Sequence, residues 1–276
     1  MKVKKKFKIL IISIAVLSAI VIFLQSGMVY THKSAAWTPN YEKQDLSWVI
    51  NKLQFTEEEY ELLFRQTGLT RVGIDSLVAN QKQKDILTIQ EEFFESYDFY
   101  NEIFAPFTCS DRMVKNITLA PLKKGDIVLS RSSHISYLQS GHAGLVVDGE
   151  KGLVINASGY GSNSCIEDVS VLNCRPTILV LRPKISEDTA AEIADFALEN
   201  LDGKKYSLLA GIFGEKGSEE EIDKTHCSHL VWYAYKAFGI DIDSNKGLAV
   251  WPEDIEKSKH LELVQVYGIN PDEFED

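Results

Sequence analysis

Gly141-His142-Ala143-Gly144-Leu145-Val146-Val147-Asp148-Gly149-Glu150-Lys151-Gly152-Leu153-Val154-Ile155-Asn156-Ala157 is the stretch whose reading decides the fold. Leu145-Val146-Val147 is an apolar run, Asp148 to Gly152 is a tight turn, and Leu153 to Ala157 returns, which predicts a β-hairpin. Upstream, Leu122-Lys123-Lys124-Gly125-Asp126-Ile127-Val128-Leu129-Ser130 reads as a turn and then a strand. Downstream, Thr177 to Leu181 is a further apolar strand. Ser186 caps a helix with Glu187 and Asp188 in its first turn, ending near Asn200 with Gly203 beyond. Leu230 to Phe238 is an apolar helix closed by Gly239, and Leu261 to Tyr267 is a last strand. This order predicts an α+β domain, an antiparallel sheet or half-barrel packed on helices.

The N-terminal part is of another kind. Lys2, Lys4, Lys5, Lys6 and Lys8 form a basic flank, residues 1–8, ahead of 22 uncharged residues from Ile9 to Tyr30. A bilayer-spanning helix needs about 20 apolar residues. A lysine-rich flank stays on the cytoplasmic side, so residues 31–276 are expected outside the cell membrane. A cleaved signal peptide is the rival reading. Its apolar region runs roughly 7–15 residues with small residues close behind, whereas the best small-x-small site here, Ser34-Ala35-Ala36, lies far downstream. A retained anchor at 9–30 is the preferred reading.

After a polar tether containing Pro39, residues 41–105 carry helical patterns, and residues 31–117 are read as a helical extension. Thr56-Glu57-Glu58-Glu59 is a capping-box start and Gly68 a stop. Ile86 to Phe104 is rich in aromatics, which is more often core packing than a ligand site.

The chemistry centres on Thr225-His226-Cys227-Ser228-His229. With Thr225 as N-cap, Cys227 falls in a helix's first turn, where unpaired N–H groups and the helix dipole favour a thiolate. A histidine on a strand, His142, would supply the base. Taken alone, Cys227 reads more readily as a buried structural thiol than as a nucleophile, since free Cys packs as a small hydrophobe. His142 on its strand and the motif pattern of the whole domain favour the nucleophile. His134 precedes the His142 strand and is a candidate for lining the same cleft, whereas His32 and His260 read as surface residues. His229, two residues after Cys227, points away from it on a helix.

The stretch from Leu122 to Phe238 resembles the permuted papain-like amidases, the YaeF/YiiX group related to NlpC-type cysteine hydrolases. The likeness rests on Lys124 to Leu129, Gly141-His142-Ala143-Gly144 with its hairpin, Val154-Ile155-Asn156-Ala157, Tyr206, and His226 to Val231. It implies a circularly permuted papain-like domain over 118–276, with Cys227 as nucleophile, His142 as base and Asn156 as the residue orienting the imidazole. The ring and the sulfur would then lie within hydrogen-bond reach. Tyr206 and Ser158 are expected at the substrate. The group often carries Glu in place of Asn156 and after the Cys-Ser pair, where this chain has His229; Asn can still hold an imidazole tautomer. The substrate implied is an amide or peptide, such as a cell-wall peptide.

Composition narrows the alternatives. Five of the 29 basic residues lie before residue 9, where there is no acid, so the remainder carries 24 basic against 40 acidic residues, a balance of −16. Such a domain is a poor partner for nucleic acid. No G-x-S-x-G, Walker loop or H-E-x-x-H occurs, and no C-x-x-C, so no metal or cofactor is expected. Of the four cysteines, Cys165 and Cys174 are nine apart and could pair across a bend outside the membrane. Two other functions stay open. One is a thiol acyltransferase or lipase of the lecithin–retinol acyltransferase type, suggested by Cys227-Ser228-His229. The other is a non-catalytic binding domain on the same fold.

Overall fold

The computed structural model describes residues 2–32, 36–105, 107–212 and 222–274. The uncharged N-terminal run forms one continuous helix, α1 (Lys2–His32). Its stretch Lys5–Tyr30 is long and apolar enough to cross a bilayer, with a mean hydropathy of 2.8. Three short helices follow: α2 (Glu57–Thr67), α3 (Arg71–Ala79) and α4 (Asp85–Phe94). The Thr56–Glu59 capping box and the left-handed Gly68 bound α2 as the sequence predicts.

The helical reading of 41–105 ends at Phe94. Beyond Glu95 the aromatic stretch forms a strand, β1 (Phe99–Ala105), antiparallel to β2 (Thr108–Met113). Phe99, Tyr100 and Ile103 suit a pleated surface, and pairing with β2 overrides the helix-like spacing of the aromatics. The chain then runs through β3 (Ile127–Ser130), β4 (Ser133–Ile135), β5 (Leu138–Gln139), β6 (His142–Asp148), β7 (Leu153–Asn156), β8 (Cys165–Asp168) and β9 (Ile178–Pro183). Helix α5 (Glu187–Asn200) follows, capped by Ser186, then the short β10 (Lys205–Tyr206) and β11 (Lys224–Thr225), which pair in parallel. Helices α6 (Cys227–Lys236) and α7 (Pro252–Glu256) and strand β12 (Leu261–Tyr267) complete the fold.

The main sheet has six strands in the order β12-β9-β3-β6-β7-β8, every neighbouring pair antiparallel. Both of its faces are covered, which is why β3 is buried at each of its four positions and reads as a continuous apolar run. On one face Ile127, Leu129, Leu145, Ile155 and Leu179 pack with Leu230, Trp232 and Tyr235 of α6 and Ile193 of α5. On the other, Val180 and Val264 meet Leu63, Ile74, Leu77 and Ile89 of α2–α4. The smaller sheet, ordered β1-β2-β4-β5, stands beside the main one. The fold is thus mixed α+β with antiparallel sheets, and the helical extension is one of its layers.

Candidate active site

Cys227 is the first residue of α6, and His226, not Thr225, is its N-cap: the His226 side chain accepts from the His229 backbone N–H. Thr225 lies in β11, with its hydroxyl 3.1 Å from His229 Nδ1, so His229 faces away from the sulfur. The backbone N–H groups of Ala143 and Ser228 and the Ser228 hydroxyl favour a thiolate at Cys227, as does the Arg175 guanidinium. Burial outweighs them, and the thiol is pushed above its ordinary 9.0. The expected low thiol pKa is therefore not met, because the first-turn dipole is set against a sulfur removed from water.

His142 opens β6 and shares its sheet face with Asn156 at the end of β7. Its Nε2 lies 3.2 Å from Asn156 Oδ1, and Asn156 Nδ2 donates to Glu167 Oε2 at 2.7 Å. Glu167 thereby fixes the amide. With Oδ1 toward the ring, Nε2 must carry the imidazole proton and Nδ1 holds the lone pair. Burial, and then the Arg175 charge, hold His142 well below 6.5. At rest the pair is a neutral thiol and a neutral imidazole, and no hydrogen bond joins the His142 ring to Sγ.

Both residues line a cavity of about 320 Å³. Tyr206 lines it too, close enough that a thiolate at Cys227 adds to burial in raising its phenol pKa. Ser158 also lines it, but its hydroxyl is 2.7 Å from Asn156 Oδ1 and 3.2 Å from Glu167 Oε2, which ties it to the imidazole support. His134 faces the cavity from β4, with Nε2 2.8 Å from Asp111 Oδ2 and Nδ1 without a partner. His260 is half-buried, and the His32 side chain lies outside the described residues. All four cysteines are free thiols.

Two contributors, and the capping role of His226, escaped sequence reading. Glu167 is brought beside Asn156 by the β7–β8 pairing. Arg175 is 2 % exposed, donates to Ser133 Oγ at 2.9 Å and to Ser110 Oγ, and acts on both Cys227 and His142. Its own burial, reinforced by the Arg112 charge, lowers it to about 10. His226 carries a weak signal, a polar residue directly before an apolar helix.

No family model and no solved structure matches the chain. It is 30% identical over 191 residues to the uncharacterized protein YycO of Bacillus subtilis (strain 168), an alignment covering 60% of this chain and 70% of that protein. The chain belongs to the same family as YycO.

Proposed function

We propose that this protein is a membrane-anchored, extracytoplasmic cysteine hydrolase that cleaves an amide or peptide bond, on a circularly permuted papain-like domain of the YaeF/YiiX and NlpC-type kind. One observation carries the reading. A cysteine at a helix start, with the N–H groups of Ala143 and Ser228 on its sulfur, shares a cavity with a histidine whose tautomer is fixed through Asn156 and Glu167.

In this reading His142 Nδ1 takes the Cys227 proton as the sulfur attacks the substrate carbonyl. The N–H groups of Ala143 and Ser228 receive the developing oxyanion. The proton passes from His142 to the leaving amine, leaving a thioester on Cys227. Water then gives a proton to His142 and attacks the thioester; the acid departs and the sulfur recovers its proton. The net change is amide plus water to acid plus amine. The five-lysine flank and the apolar α1 support the outward orientation.

The test is reaction of the full chain with an iodoacetamide-type probe, followed by an amide substrate screen with a Cys227→Ala control. Labelling is expected at Cys227 and turnover is expected to vanish in the variant. Turnover that survives Cys227→Ala refutes the mechanism.

A further inference from the structure

The anchor helix is docked on the wall of the catalytic cavity. The Ser136-Tyr137 corner, which links β4 to β5, sits against the last turns of α1. Tyr137 Oη is 2.6 Å from Ser26 Oγ, its ring packs on Phe23 and Tyr30, and Ser136 Oγ donates to the Leu24 carbonyl at 2.9 Å. Gly27 permits this approach: a Cβ there would lie 2.6 Å from Tyr137 Cδ2 and 2.7 Å from Tyr137 N. The strand leading into that corner, β4, contributes Ser133, His134 and Ile135 to the cavity.

Helix rise places this contact in depth. From Lys8, the last charged residue of the flank, to Phe23 is about 22 Å, and to Tyr30 about 33 Å, against a hydrocarbon core of about 30 Å. The corner therefore meets the bilayer at its far interface, where tyrosine is at home.

The open surface of the cavity is mainly apolar, alongside Ser, Thr and His side chains. Among the described residues, no Asp, Glu, Lys or Arg lines it, although the domain as a whole is acidic. Tyr160, Leu208, Leu209 and Trp251 line it while 79%, 41%, 57% and 40% exposed. Leu138, next to Tyr137, is 53% exposed and shares the adjoining cleft with Trp251, a cleft that also carries Arg131, Glu253, Glu256, Lys257 and Glu273. Exposed apolar surface of this extent marks an interaction site. A peptide bearing free carboxylates and ammonium groups would meet no Asp, Glu, Lys or Arg among the described residues of these walls.

We propose that the cavity takes the acyl chain of a membrane-resident amphiphile, entering from the leaflet beside the docked corner, so that the bond presented to Cys227 is an amide carried by a lipid. This rests on the membrane-anchored hydrolase reading for its chemistry, which keeps the steps and proton balance given above. The acyl-site claim itself rests on the docking and the lining.

The test uses the full chain in phosphatidylglycerol–phosphatidylethanolamine vesicles. The probe is an N-hexadecanoyl aminocoumarin amide with a diazirine in its acyl chain, photolysed on Cys227→Ala so that capture does not depend on turnover. Cross-links are expected at Ile135, Leu208 and Leu209, competed at least tenfold better by the unmodified hexadecanoyl amide than by its N-acetyl counterpart. Gly27→Leu, and separately Tyr137→Ser, should cut capture severalfold while leaving the iodoacetamide reaction of Cys227 unchanged. Cross-links confined to α1, or equal competition by the acetyl amide, would overturn the proposal. Cavity capture with no aminocoumarin release by the unmutated protein would leave the acyl site standing and remove the hydrolase reading.

Discussion

Replacing His226 with Asn isolates how acid weakens this fold. His226 is buried, and its ring accepts from the His229 N–H to cap α6. Burial, and then the His229 charge, lower it to about 3 from an ordinary 6.5. The unfolded chain therefore binds the proton that the folded chain refuses. The stability is fully present above pH 6.5 and is lost as pH falls toward the folded value. An unfolded-state pKa of 6.5 makes the loss about 0.1 kcal/mol at pH 7.5 and about 1.4 kcal/mol at pH 5.5. For a domain of this size that is a drop in Tm of about 3–5 °C. An Asn Oδ1 stands where the imidazole Nδ1 does, so His226→Asn keeps the cap and removes the titration. Thermal melts of the full chain in detergent at pH 7.5 and 5.5 should show the unmutated protein losing about 1.3 kcal/mol more than the variant. Losses agreeing within about 0.3 kcal/mol would refute the assignment of a neutral, capping His226.

Three further outcomes follow from named contacts. Glu167→Ala frees the Asn156 amide to turn and should lower kcat about tenfold with KM little changed, while Glu167→Gln, which keeps an acceptor, restores most of it; equal loss in both would assign Glu167 a purely structural part. Arg175→Gln removes the charge that favours the thiolate, so Cys227 alkylation at pH 8 should slow severalfold, and an unchanged rate counts against that coupling. Gly68→Ala should destabilise by about 3 kcal/mol or more, read by urea melts, because its φ is +70° and a Cβ would lie 2.0 Å from the Val266 carbonyl oxygen.

Local signals made much of the sheet legible. The hairpin from His142 to Asn156 announced itself through an apolar run, a glycine turn and an apolar return, and Leu261–Tyr267 is a strand as read. The Thr56 capping box needed only four residues of sequence. What failed was non-local. Tyr97, Tyr100 and Phe104 continue the helical spacing of Phe93, and nothing in that window reveals that β2 will claim residues 99–105. Glu167 and Arg175 lie 11 and 19 residues beyond Asn156 and reach the candidate site only once β8 and the loop before β9 are folded back. The pairing of His142 with Asn156 was legible because adjacent hairpin strands place same-face residues together.

The first-turn argument for a thiolate failed for an instructive reason. Dipole and N–H groups act on Cys227 in the direction expected, but they are local features, and solvation is set by everything packed around α6. The same burial that raises the thiol depresses His142, and both shifts oppose an ion pair. Arg175 does not repair this, since its charge favours the thiolate while disfavouring the imidazolium. In the proposed mechanism, proton transfer from sulfur to ring is therefore driven by the attack itself, as negative charge moves from sulfur to the carbonyl oxygen near the Ala143 and Ser228 N–H groups. The proposed acyl chain, filling the cavity, would add no charge and expel water, strengthening those fixed donors at the step that needs them. On that reading a neutral resting pair and a wall whose described residues include no Asp, Glu, Lys or Arg serve the same chemistry, in which charge appears only when the substrate is in place.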